Sequence, residues 1–262
     1  SEDTMYICPT KESRDENQYE TVIEGYKDDK SPYIASGLYD LLTDPELQKK
    51  NEWVFDKAFK SEHIDYEAWK ILIPELKDKH PEYFEAIKNS PRISTYDLSL
   101  ILPYTSTNLL EENINWLTSI FRKADGTVDM NEYLNKVFQN CNSEFQMNHF
   151  DEILGEIKDN DKLIEQLWAY SKEEVKEKNM LKILDAIMPE GNVKDCFIFS
   201  QIIQNSPENM PQECLDKVFK LYENENSNIR DFMNIFWKSM GKENQEKYLL
   251  PFMQKQEDLG ID

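Results

Sequence analysis

Asp125, Thr127, Asp129 and Glu132 follow one another around Gly126 at intervals of two, two and three residues. Hard cations such as Ca²⁺ take about six to eight oxygen ligands, and carboxylates set on a tight turn ahead of a helix can converge to supply them. This stretch is therefore the candidate metal site of the chain, with calcium as the ion it would take. Acid–base and nucleophilic chemistry have no comparable signature. The chain contains no G-x-S-x-G, no P-loop, no H-E-x-x-H and no G-x-G-x-x-G. His63, His80 and His149 stand beside charged or polar residues and read as solvent-exposed side chains. No catalytic residue is assigned, and the chain reads as non-enzymatic.

The elements that must position these oxygens run from Trp116 to Phe138. Leu117, Ile120 and Phe121 share one face of an entering helix, Asp125-Gly126 breaks it, Val128 follows the turn, and Tyr133, Leu134 and Val137 give the leaving helix its apolar face. The segment resembles an EF-hand. With Gly126 as loop position 6, Asp125 falls at 5, Thr127 at 7, Val128 at the short bridge position 8, Asp129 at 9 and Glu132 at 12. Positions 1 and 3 carry Phe121 and Lys123, which offer no side-chain oxygen. The resemblance implies a helix-loop-helix architecture with weak or lost calcium binding, whose paired units dock a helical or basic segment of a protein partner.

Breaks of this kind recur. The aliphatic residue after each falls at Ile34, Ile64, Ile93 and Val128, in steps of 30, 29 and 35 residues, and two breaks share the form Ser-Pro-x-Ile at Ser31 and Ser90. Ile164, Val193 and Ile229 then lie 100, 100 and 101 residues beyond Ile64, Ile93 and Val128, so most of the first half is repeated in the second. The expected organisation is an N-terminal arm over 1–14, four helix-loop-helix units over 15–141, and three units with a terminal helix over 146–262, with a junction near 140–144. The fold class is all-α, an array of EF-hand-like units in two lobes. The alternative is an α-solenoid of the HEAT or TPR kind, which would stack antiparallel helices without bridges between loops.

Composition limits the function. With 51 acidic against 30 basic residues the formal charge is −21, which repels phosphate backbones and anionic lipid and favours cations or a basic partner. An acidic protein that imitates nucleic acid is a further alternative, and it would need its carboxylates arrayed along one face. No run approaches the roughly twenty apolar residues of a membrane span. Cys8, Cys141, Cys196 and Cys214 are widely spaced and read as free thiols of a reducing, cytoplasmic setting. Eight methionines from Met130 onward, with Trp53, Trp69, Trp116, Trp168 and Trp237, could line partner grooves, although apolar residues at helical spacing usually form core.

Overall fold

Side-chain caps set where the helices begin. In the computed structural model, which describes residues 16–27, 36–62, 64, 66–91, 93–207, 210–223, 237, 241–258 and 260, the Asp44 carboxylate accepts from the Glu46 and Leu47 amides and Pro45 follows at the first helical position. Ser94 and Asp97 form a reciprocal capping box. Asn142, Asn160 and Asp195 cap later helices in the same way. Each cap satisfies amides that the first turn of a helix leaves without an internal partner.

The chain divides into two compact units at Glu112/Asn113. The sequence predicts a junction near 140–144 instead. That position is covered in the structure: Phe138 and Cys141 are fully buried, and the helix before them packs on a later helix of the second unit.

The first unit contains α1 (Glu16–Gly25), α2 (Ser36–Leu41), α3 (Pro45–Lys50), α4 (Glu52–Phe59), α5 (Tyr66–Ile71), α6 (Pro74–Lys79), α7 (Pro81–Lys88), α8 (Thr95–Ile101) and α9 (Thr107–Glu112). Helices α2, α5 and α8 pack in succession, and α4 packs on α7. Phe59 lies between Tyr83, stacked at 4.6 Å, and Trp69, edge-on at 6.1 Å, while Phe84 closes on Trp69 at 5.5 Å.

The second unit contains α10 (Ile114–Ser119), α11 (Met130–Lys136), α12 (Ser143–Ile157), α13 (Asp161–Tyr170), α14 (Glu173–Ile187), α15 (Cys196–Gln204), α16 (Gln212–Phe219) and α17 (Lys242–Asp258). Here α11, α13 and α15 pack in succession, and so do α12, α14 and α16. The class is all-α. Among the described residues there is no strand, only an isolated bridge between Arg122 and Val128, and no helix is long and apolar enough to cross a membrane. The arm over 1–14, the Ser31–Ile34 break, His63, Asp65 and the break around 224–229 lie outside the described residues.

One device recurs in both units. The fully buried Gln48 donates through its amide nitrogen to the carbonyls of Leu42 (2.6 Å) and Ile71 (2.7 Å), and its amide oxygen accepts from Ile73 N–H at 2.9 Å. Gln146, also fully buried, donates to the carbonyls of Phe138 (2.7 Å) and Tyr170 (3.0 Å) and accepts from Lys172 N–H at 2.8 Å. In each unit a single side chain serves two carbonyls near helix ends and the amide that starts the next turn. Two indoles repeat as well. Trp69 donates to Thr105 Oγ1, whose own hydroxyl returns to the Ile101 carbonyl; Trp168 donates to the Ile202 carbonyl, which also accepts from Ser206. Lys77 lies over Trp69 and Lys176 over Trp168. Gln, Trp, Lys, Ile and hydroxyl thus reappear 98 to 101 residues later.

The kink between α6 and α7 is at His80, ahead of Pro81, which has no amide hydrogen to donate. His80 reads as exposed in the sequence, but its side chain is only 17 % accessible. Its Nε2 faces Glu52 and its Nδ1 faces Glu82, each at 2.8 Å, and the ring stacks on Tyr83 at 4.7 Å. Lys79 also reaches Glu52 at 2.7 Å, the Tyr83 hydroxyl donates to Asp56 at 2.6 Å, and Lys60 approaches Asp56 from the next turn. Burial opposes charge on His80, but the bonds to Glu82 and Glu52 outweigh it and hold the imidazole above its ordinary value. Glu52 is held below the usual carboxylate range by Lys79 and then His80, and Glu82 by His80. His149 is likewise only 17 % accessible, packing on Phe145 and near Glu152.

Two measurements check these contacts. Gln146→Leu leaves three largely buried backbone groups without their partner, at about 1–3 kcal/mol each. The expected loss on denaturant unfolding is about 3 kcal/mol, against a few tenths for an exposed control such as Gln139→Leu. For His80 the folded pKa is the higher one, so its stabilisation is complete below the unfolded value near 6.5 and is lost as pH rises through the folded value. In chelator-treated buffer the melting midpoint should fall as pH rises above 6.5, and His80→Gln should flatten that slope.

Candidate functional site

The loop between α10 and α11 closes on itself. Phe121, expected at the first loop position, is buried, and its carbonyl accepts from the Asp129 amide at 2.8 Å. Lys123 N–H donates to the Thr127 carbonyl at 2.7 Å, and Gly126 N–H returns to the Lys123 carbonyl at 3.0 Å. Gly126 has φ +86°, the left-handed region that an L side chain enters only at a cost. The turn placed at Gly126 by the sequence is therefore present, and the backbone geometry explains why glycine occupies it.

Asp125, Thr127 and Asp129 have local side-chain partners, and Glu132 is engaged through its backbone amide. Asp125 Oδ1 accepts from both the Thr127 hydroxyl (2.6 Å) and the Thr127 amide (2.9 Å), and these bonds hold its carboxyl below the ordinary value. Asp129 Oδ1 caps α11 through the Glu132 amide at 3.3 Å, while its other oxygen lies 3.7 Å from Lys123 Nζ. Arg122 places its guanidinium on the Gly126 carbonyl at 2.7 Å. The carboxylates of Asp125, Asp129 and Glu132 are not brought within 4.8 Å of one another as a group of three, which among the described residues happens at Asp56, His80 and Glu82. Val128 bridges to Arg122 within its own loop. Of its expected counterparts, Ile164 is in the first turn of α13 and fully buried, and Val193 follows the turn at Pro189–Gly191.

Beside the loop lies a cleft of about 90 Å³, formed by α10, the start of α11 and α12. Ile114, Val128 and Ile153 supply apolar wall, and Glu152 and Glu156 bring carboxylates from successive turns of α12. Two like charges four residues apart on one helix repel, so a cation between them is favourable. Met130 and Tyr133 at the start of α11, Thr118 of α10 and His149, 3.7 Å from Glu152, also line it. The sequence assigned Met130 to a partner groove, and it does line this cleft; it assigned no role to Glu152 or Glu156. Their spacing is a detectable signal, but eleven other pairs of acids in the chain share it.

Of the other groove candidates among the described residues, half are core, while Met147, Trp53, Trp116 and Trp237 are half-buried and Met253 is exposed. Trp69, Trp168 and Met180 are fully buried, and Met188 is nearly so. Met233 and Met240 lie outside the described residues. Cys141 and Cys214 are buried and Cys196 is half-buried, all three as free thiols; burial pushes the Cys214 thiol up to about 11, leaving it unreactive at neutral pH. No protein-family model, curated protein or solved structure matches the chain.

A Cβ on Gly126 or on Gly155, which lies within α12, would meet nothing within 4 Å, so substitution at either tests backbone alone. Gly126→Ala should destabilise by about 1–2 kcal/mol through the left-handed conformation. Gly155→Ala should stabilise by about 0.5–1 kcal/mol because it restricts the unfolded chain without strain. Paired urea titrations compare the two directly.

Proposed function

We propose that this protein is a non-enzymatic helical-repeat scaffold that docks a basic, helical segment of a protein partner, with calcium binding weak or lost. The observation that carries the reading is the cleft beside the α10–α11 loop: apolar walls sized for one long side chain, with Glu152 and Glu156 at the α12 wall. A lysine or arginine fits such a site by laying its methylenes on Ile114, Val128 and Ile153 and its cation between the carboxylates. The formal charge of −21 draws a basic segment toward the protein at long range.

Successive packing of alternate helices, α11 to α13 to α15 and α12 to α14 to α16, supports an α-solenoid arrangement over an EF-hand array. In a scaffold of that kind the helices hold their relative positions through buried clasps, and function resides in the exposed faces. The calcium part rests on the loop's own cations: Arg122 and Lys123 already sit on its oxygens, so a bound ion would have to displace them.

A lysine-rich amphipathic peptide carrying a fluorophore tests the reading by anisotropy at low salt. Binding is expected in the micromolar range, weakening as salt screens the charges. Glu152→Gln with Glu156→Gln should reduce it by at least tenfold, and about 1 mM Ca²⁺ should leave it unchanged. Absence of binding up to about 1 mM peptide, or binding indifferent to the double substitution, overturns the reading.

A further inference from the structure

A second group of side chains in the first unit has a different chemistry. Ligand atoms from Asp56, His80 and Glu82 all lie within 4.8 Å of one another. They come from two elements that pack together, Asp56 from the last turns of α4 and Glu82 from the first turn of α7, with His80 at the kink that leads into α7. One imidazole and two carboxylates match the mixed nitrogen and oxygen preference of borderline divalent metals, and three protein ligands leave a position for water.

We propose that Asp56, His80 and Glu82 bind a divalent transition-metal ion of the zinc class, with Glu52 and Tyr83 as its outer supports. The imidazole is already oriented for that role. Its Nδ1 is turned toward Glu82 while Nε2 faces Glu52, each at 2.8 Å. With Nε2–H donating to Glu52, removal of the Nδ1 proton leaves a lone pair there that can ligate. This is the carboxylate–histidine–metal relay that raises ligand basicity and fixes ring direction. Stacking on Tyr83 restrains the ring further, and the Tyr83 hydroxyl holds Asp56 by one oxygen, Oδ1, leaving the other to coordinate.

In the metal-free protein a proton between Nδ1 and Glu82 serves this centre, with Lys60 near Asp56 and Lys79 on Glu52. Metal entry replaces that proton, which leaves to solvent, and displaces Lys60, whose side chain is 72 % accessible and whose ammonium stands 3.9 Å from Asp56. Lys79 stays on Glu52 and balances the outer carboxylate. The ion would tie α4 to α7 across the kink, which gives it a structural role.

Isothermal titration of the full chain with Zn²⁺ at pH 7.5 tests the assignment. One equivalent is expected to bind with a Kd of micromolar order. His80→Gln should remove the site. Glu82→Gln changes an exposed side chain, keeps the fold testable if the histidine variant unfolds, and should weaken binding at least tenfold. Glu52→Gln, which touches no metal, should weaken it by about 10- to 100-fold, and a Co²⁺ spectrum should lack thiolate charge transfer. His149→Gln should change nothing. No saturable heat up to about 1 mM Zn²⁺, binding that survives both Glu82→Gln and His80→Gln, or a thiolate band overturns the proposal.

Discussion

The buried amide of a single glutamine is the constraint around which each unit is built. Gln48 and Gln146 each join three backbone groups from different elements, one of them buried and two part-buried in each case. A hydrophobic core of helices fixes composition more than register, because apolar contacts slide at little cost. An amide with two donors and one acceptor engaged cannot slide. It determines which turn of one helix faces which end of another. The indoles of Trp69 and Trp168 then add one directional bond each to the large area they bury.

A lysine lies beside each indole, buried at Lys77 and half-buried at Lys176, and burial has a cost. Lys77 is 4 % accessible, bonds to the Tyr104 carbonyl, and is pushed down to about 8 by burial. Among the described residues no acid forms an ion pair with it, and the Trp69 face supplies part of what water would have given. Because its folded value lies below the unfolded one, this lysine favours the folded state more as pH rises from about 8 toward 10.5. That is the opposite sense to His80, whose support is strongest below neutrality. The first unit therefore contains two titrations of opposite sense, that of Lys77 acting above about pH 8.

Much of the helical content was legible because caps and breaks are local signals. Asp44-Pro45, Asp125-Gly126 and Lys158–Asp161 each mark a turn for reasons contained within a few residues. The offset near one hundred residues was legible too, although the aliphatics after the breaks showed it less directly than the clasp residues. What stayed hidden depends on tertiary placement. A glutamine in a polar helix turn gives no sign that it will be buried, and His80 among Lys, Pro and Glu looks solvated until Glu52 arrives from 28 residues away. The junction was misplaced for the same reason: a polar Asn-Cys-Asn run suggests a linker, but Cys141 is fully buried. The cleft beside the loop needed three helices to exist, and no single one of them announces it.

The reach of the glutamine clasps has a kinetic consequence. Each closes over 23 to 26 residues at its longest, and the tryptophan bonds over 34 to 36. Chain closures this short carry a small entropic barrier, and structures made of them form quickly and in pieces. Each segment can consolidate as soon as its own neighbour is available, without waiting for a distant end. On a ribosome that means order advancing behind the exit tunnel a helix or two at a time.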